Sequence, residues 1–310
     1  CYFMNLHHLI RIDDLSQQQL HQLIDSAQRM SDLSGSNAHQ RDELAGKTVC
    51  NLFFEPSTRT RSSFQLAAAR LGADVLNFDA PTSSAKKGET AIDTMRNLEA
   101  MGVDCFIVRT AIDGELDALI AAAKPSTHFI NAGDGRSNHP TQALLDMLTI
   151  RQCKGSDFSS LKVLIAGDIL HSRVARSDLQ ALKLLNCGEI RVCGPENLLP
   201  LDGTLSGCER FNDFNEAVTG VDVVMMLRLQ RERMEQGLVS SIEQYYSDYG
   251  LSAERLSFAK ANAIVMHPGP MNREVEISGQ VADGPQSVIL QQVRNGVAVR
   301  MAVLKAVLAP

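Results

Sequence analysis

A chain of 310 residues exceeds what one typical core organises and reads as two domains of about 150 residues each. Its 44% hydrophobic and 21% charged residues fit a globular protein, and a formal net charge of −6 argues against nucleic acid or an anionic membrane as main partner. No run approaches the roughly 20 apolar residues of a membrane span, and no basic-then-apolar leader opens the chain, so a cytoplasmic location is expected. The seven cysteines include no CxxC pair and read as buried thiols, so neither zinc nor a disulfide is expected. Any anion must be bound by local placement of basic residues, which makes the position of each arginine informative.

Apolar runs alternate with helical periodicity along the whole length, the pattern of mostly parallel sheets with crossover helices. In the first half, strands are expected at 47–54, 73–78, 104–109 and 127–131, with helices near 14–31, 58–71, 89–101, 113–123 and 140–152. In the second half, strands are expected at 162–166, 189–193, 222–227 and 263–267, with helices near 172–186, 213–219, 252–260 and 282–308. The polar stretch from Lys154 to Ser160 marks a boundary. The fold class is α/β: two domains, each with a mostly parallel sheet flanked by helices, and an active site at the carboxyl ends of strands between domains. Residues 4–140 with the final helix 285–310 are expected to form the first domain and 141–284 the second. Strand order has no local signature.

In open α/β sheets, ligands bind beyond the carboxyl ends of the strands. After 47–54 comes Phe54-Glu55-Pro56-Ser57-Thr58-Arg59-Thr60-Arg61, a strand that stops at proline and turns into a hydroxyl- and arginine-rich helix start. The first turn of a helix presents free N–H groups and partial positive charge, and the guanidiniums add fork-shaped donors suited to phosphate. An ordinary capped surface helix needs one Ser or Thr, and leaves three hydroxyls interleaved with two guanidiniums unexplained. Arg109 and Thr110 follow 104–108, and His139 lies in the loop after 127–131. Asp168, His171 and Arg173 follow 162–166; Arg228 and Gln230 follow 222–227; His267-Pro268-Gly269-Pro270 closes 263–267. Any one of these alone is an ordinary loop residue; six strand ends bearing polar or cationic groups are not.

These segments identify a resemblance. Ser57-Thr58-Arg59-Thr60-Arg61, Lys86-Lys87-Gly88-Glu89, His139-Pro140-Thr141-Gln142, Arg228-Leu229-Gln230 and His267-Pro268-Gly269-Pro270 resemble the motifs of aspartate carbamoyltransferase catalytic chains, over essentially all of Met4 to Pro310. The first and third are shared with ornithine carbamoyltransferase and specify the carbamoyl phosphate half of the chemistry; the last two distinguish the aspartate enzyme. The resemblance implies transfer of the carbamoyl group of carbamoyl phosphate to the amino group of L-aspartate, early in pyrimidine synthesis, with no metal or organic cofactor.

By that resemblance Ser57, Thr58, Arg59, Thr60 and Arg109 hold the phosphate, and Thr60, Arg109 and His139 polarise the carbonyl oxygen. Gln142, with the backbone carbonyls around Pro268 and Gly269, accepts from the carbamoyl NH₂. Arg173 takes the α-carboxylate of aspartate, and Arg228 with Gln230 the β-carboxylate; a cationic ornithine side chain is repelled there. Ser83 and Lys87 come from the neighbouring subunit of a homotrimer, counting back from Lys87 selecting Ser83 over Ser84. His171 is expected to be a helix-capping neighbour of Arg173. The resemblance also admits a higher assembly of such trimers with regulatory chains or dihydroorotase. An ornithine-specific transferase, or an inactive structural subunit, are the competing readings; the second predicts a damaged catalytic set, and the set is intact. No GxGxxG triplet occurs, which removes a nicotinamide dehydrogenase.

Overall fold

The computed structural model describes residues 5–33, 42–79, 89–229 and 241–309. It divides into two compact units, Cys1–Leu148 with Val293–Pro310, and Thr149–Gln292. The first unit carries strands β1 (His8–Leu9), β2 (Thr48–Phe53), β3 (Asp74–Asp79), β4 (Cys105–Thr110) and β5 (His128–Asp134). All pair in parallel, in the order β1-β5-β4-β2-β3. Parallel strands covered on both faces read as continuous apolar runs. Here Cys50, Leu52, Phe106, Val108 and Phe129 pack with Met95 of α3 (Ala91–Ala100) and with Leu116 and Leu119 of α4 (Glu115–Ala122). Helix α1 (Gln17–Leu33) follows β1, and two further helices, α2 (Thr58–Arg70) and α5 (Pro140–Lys154), belong to the site; every residue of α5 from Pro140 to Ile150 is buried.

From β2 the chain steps outward to β3, then returns to the other side of β2 for β4. That reversal opens a crevice at the carboxyl ends of β2 and β4, because the loops there leave in opposite directions.

The second unit carries β6 (Lys162–Ala166), β7 (Glu189–Cys193), β8 (Glu209–Phe211), β9 (Val223–Met226) and β10 (Ile264–Met266), parallel and ordered β10-β9-β6-β7-β8. Its reversal falls between β6 and β9. Leu164, Ala166, Val224, Met226 and Val265 pack there with Phe214, Leu251 and Ile277. The helix α6 (Arg173–Leu184) follows β6, and α7 (Phe214–Val218) precedes β9.

Several elements differ from the sequence expectation. The strands β1 and β8 are two- and three-residue edges, too short to carry a period. The helix Ile242–Tyr249, capped by Ser241, was not expected. The helix expected over 252–260 is only Ala253–Leu256, because the chain beyond it binds the turn before β9: Gly220 N–H donates to Phe258 O at 2.9 Å and Lys260 N–H to Val221 O at 3.1 Å. The expected helix 282–308 is two, Gly279–Ala282 and Ile289–Leu308. Pro285 lacks the N–H a continuous helix needs, and the break instead feeds the β10 edge, where Val265 N–H donates to Gln286 O at 2.8 Å.

Candidate active site

The turn after β2 is built by its sequence. Phe54 N–H donates to Arg109 O at 2.8 Å, extending the ladder by one step, and Pro56 then ends it. Ser57 takes the N-cap position of α2 with extended backbone, and Arg61 N–H donates to Ser57 O at 3.1 Å to open the helix. The Ser57 side chain makes no cap hydrogen bond. The first-turn N–H groups of Thr58, Arg59 and Thr60 thus point beyond the helix end without an intrahelical acceptor, under the positive end of the helix dipole. Thr60 is buried, Ser57 half-buried, and Thr58 and Arg59 are exposed.

Arg109 stands beside this turn as the register partner of Phe53. The pairing of β4 with β5 shifts between Val108 and Thr110, where Gly133 adopts a φ of 124° that favours glycine. The shift sets the arginine against the bulge: Nη1 donates to Ala132 O at 3.1 Å and Nη2 to Glu55 Oε1 at 3.2 Å, leaving the side chain 11% exposed. A guanidinium held at two corners is pre-oriented before any ligand arrives.

The next strand, β5, delivers His139. Asp134 N–H donates to Asn138 O at 3.0 Å, and Asp113 Oδ1 accepts from Arg136 N–H at 3.0 Å, tying the intervening turn. Pro140 occupies the first position of α5, where its missing N–H costs nothing. The buried His139 accepts through its carbonyl from Gln142 N–H at 3.0 Å. The Gln142 amide NH₂ donates to both carboxylate oxygens of buried Asp146, at 3.1 Å each. Because a carboxylate only accepts, Oε1 is the end of the amide turned away from Asp146.

In the second unit Arg173 opens α6 behind Ser172, whose hydroxyl accepts from Ala175 N–H at 3.1 Å. The capping role expected beside Arg173 thus belongs to Ser172, while His171 is fixed through Nδ1 to Asp168 Oδ1 at 2.8 Å. Arg228 is exposed between buried Leu227 and Leu229. His267 is buried; its Nδ1 accepts from Gly269 N–H at 2.8 Å, so Nε2 carries the proton and donates to Glu276 Oε1 at 3.0 Å. Fully buried Glu276 also accepts from Asn272 N–H at 2.6 Å, and Asn272 Nδ2 donates to Leu229 O at 2.9 Å. One carboxylate thereby ties the Pro268-Gly269 turn to the Arg228 turn, with Gly269 at a φ of 64°.

Ser57, Thr58, Arg59, Thr60 and Arg109 thus meet at the reversal between β2 and β4, with His139 and Gln142 at the end of the adjoining β5. Arg173, Arg228, Pro268 and Gly269 follow three neighbouring strands, β6, β9 and β10. Ser83, Lys87 and Gln230 lie outside the described residues. Sequence reasoning passed over Glu55, Asp146, Glu276 and a buried arginine, Arg300. A signal existed for two of them. Asp146 and Arg300 are single charges inside apolar helical runs, and Asp146 lies one turn from Gln142.

Two family models match the chain: aspartate/ornithine carbamoyltransferase, carbamoyl-P binding domain, over residues 7–152, and the Asp/Orn binding domain of the same family over 159–307. The aspartate carbamoyltransferase catalytic subunit of Stenotrophomonas maltophilia K279a is 63% identical over 304 residues, covering 98% of this chain and 96% of that one. Aspartate transcarbamoylase of Trypanosoma cruzi solved with carbamoyl phosphate superposes with a TM-score of 0.88 at 32% identity, covering 99% and 97% of the two chains. The same enzyme with carbamoyl phosphate and aspartate gives 0.87 at 31% identity, covering 99% and 98%. The chain belongs to the aspartate/ornithine carbamoyltransferase family.

Proposed function

We infer that the chain transfers the carbamoyl group of carbamoyl phosphate to the amino group of L-aspartate, giving N-carbamoyl-L-aspartate and phosphate, early in pyrimidine synthesis. The observation that carries this reading is the open start of α2 beside the two-cornered Arg109, donors of the kind a phosphate needs. The Stenotrophomonas relative named for this activity, and the Trypanosoma enzyme solved with both substrates, support it.

The reaction forms a nitrogen–carbon bond while the carbon–oxygen bond to phosphate breaks, with charge growing on the carbonyl oxygen and the leaving phosphate. Ser57, Thr58, Arg59, Thr60 and Arg109 hold the phosphate and take up its charge. Thr60, Arg109 and His139 donate to the carbonyl oxygen, acting as an oxyanion hole. Gln142 Oε1 and the carbonyls of Pro268 and Gly269 accept from the carbamoyl NH₂. An acetyl group offers no donor there and leaves those acceptors unpaired. Arg173 binds the α-carboxylate of aspartate, and Arg228 with Gln230 the β-carboxylate. Ser83 and Lys87 reach both substrates from a neighbouring copy, which makes a homotrimer the smallest active unit. No described helix is long and apolar enough to cross a membrane, and a cytoplasmic location accompanies the biosynthetic role.

A steady-state assay with carbamoyl phosphate and either aspartate or ornithine tests the reaction. Product from aspartate alone is expected; product from ornithine alone, or from neither, overturns it. For the shared site, mixing Lys87→Ala with Arg59→Ala trimers after subunit exchange should restore activity, and a mixture as inactive as its parents removes the neighbouring-copy assignment.

A further inference from the structure

Arg300 lies in the apolar run Val297-Ala298-Val299-Arg300-Met301-Ala302-Val303 of the helix Ile289–Leu308 and is only 4% exposed. Its guanidinium carbon sits 4.9 Å from the centroid of the Phe64 ring, and Nη2 is 3.5 Å from Thr141 Oγ1. Its Nε is buried and meets no acceptor among the described residues. Phe64 lies one turn after Thr60 on α2, and Thr141 stands between Pro140 and Gln142 at the start of α5. One side chain thus touches both helices whose first turns carry the phosphate-facing and carbamoyl-facing groups.

The charges facing it are Arg59 from α2, Arg109 from β4 and Asp146 from α5. Burial, followed by the Arg109 and Arg59 guanidiniums, pushes the Arg300 pKa down, while Asp146 works in the opposite direction. An arginine nonetheless keeps its proton in a protein. Asp146 is the carboxylate that faces Arg300, while Arg109 is paired with Glu55 at 3.2 Å.

An independent feature points the same way. Gly296 lies one turn before Arg300, and a Cβ placed there would come within 2.7 Å of Arg300 Nη1. Glycine inside a helix is unfavourable relative to alanine. Its presence is accounted for by the guanidinium that occupies the space.

We propose that Arg300 is a positioning residue of the carbamoyl phosphate half-site, holding the first turns of α2 and α5 at the separation a phosphate and its carbamoyl group require. The inference rests on the function proposed above. Arg300 itself touches no substrate; it acts through Thr141, Phe64 and the field it adds behind the cradle.

The test uses the full chain as wild type, Arg300→Met, Arg300→Lys and Gly296→Ala, with melting temperature read with and without inorganic phosphate, and kcat and KM read for each substrate. Arg300→Met is expected to melt at or above the wild-type temperature without ligand, because a buried cation short of partners is removed. Its phosphate-induced rise should shrink, and kcat/KM for carbamoyl phosphate should fall roughly tenfold or more. Arg300→Lys should regain the phosphate-induced rise while kcat stays low. Gly296→Ala, which retains the arginine but displaces it, should lower kcat/KM for carbamoyl phosphate without loss of ligand-free stability. A ligand-free destabilisation of Arg300→Met with wild-type kcat/KM and a wild-type phosphate response would mean mere packing and overturn the proposal, as would Gly296→Ala indistinguishable from wild type. Failure of the parent reading shows separately, as a wild-type protein that makes no carbamoyl aspartate; the phosphate response then still judges Arg300.

Discussion

The helices α2 and α6 both leave a strand at a chain reversal and both begin behind a serine, yet they treat that serine in opposite ways. Ser172 accepts through its hydroxyl from Ala175 N–H, as Ser241, Ser252 and Ser278 do at their own helices and Asp213 does through its carboxylate, whereas Ser57 makes no such bond. The difference follows the shape of the ligand each end is proposed to meet. A phosphate offers several tetrahedrally arranged oxygens, so backbone N–H groups and hydroxyls must remain available together. A carboxylate is planar and is matched by one guanidinium fork, so α6 can close its own end and present Arg173. The two units reach this through different strand orders: the reversal separates β2-β3 from β4-β5-β1 in one and β6-β7-β8 from β9-β10 in the other.

The largest effect expected is at the open end. Arg59→Ala should lower kcat by about 10²- to 10³-fold, the loss seen when one charge-stabilising donor is removed from a transition state. A loss confined to KM for carbamoyl phosphate would reduce Arg59 to a ground-state contact. At the other end, Arg228→Ala should raise KM for aspartate roughly 10- to 100-fold, the worth of hydrogen bonds to a charged group, and leave carbamoyl phosphate binding alone. An unchanged aspartate dependence would refute its assignment.

A smaller effect separates the two serines directly. Ser172→Ala should cost about 1 kcal/mol of stability through the lost cap. Ser57→Ala should change stability by less than about 0.5 kcal/mol and instead weaken the stabilisation conferred by phosphate. Thermal melts with and without phosphate read both quantities. Equal stability losses for the two variants would show that the Ser57 hydroxyl is structural after all.

Positions beyond the ends of apolar strands were legible in the sequence. Ser57 to Arg61, Arg109, His139, Gln142, Arg173 and Arg228 could be placed because each follows an apolar strand. Their supports could not, because they depend on tertiary approach: Glu55 meets Arg109 across 54 residues, and Thr141 meets Arg300 across 159. Glu276 is nine residues from His267, a separation that matches no helical or strand repeat. Strand order was illegible for a related reason. Parallel strands joined by helices leave no turn signature to say on which side the next strand lands.

The outer edges of the two sheets extend the contrast to acid stability, with the smallest effect. The β10 edge is held by amide groups, Val265 N–H donating to Gln286 O at 2.8 Å, Val288 N–H to Val265 O at 3.0 Å and Gln286 Nε2 to Ala263 O at 2.9 Å. The β1 edge depends on imidazoles. His8 Nδ1 accepts from Phe129 N–H at 3.1 Å, and the His7 ring lies 4.1 Å from that of His8 and 4.9 Å from that of His128. Burial, then the charges of His7 and His128, lower the His8 pKa from 6.5 to about 4. The unfolded chain therefore binds this proton more readily than the folded one. The stability His8 contributes is complete above pH 6.5 and declines as pH falls towards about 4. Protonation also removes the lone pair that Phe129 N–H requires. Amide protection factors at Phe129 should fall on acidification from about pH 7 to 5 while those at Val265 hold, and His8→Asn should flatten the response. Parallel acid responses at the two edges would mean that global unfolding, and not the histidine-bound edge, sets the acid limit.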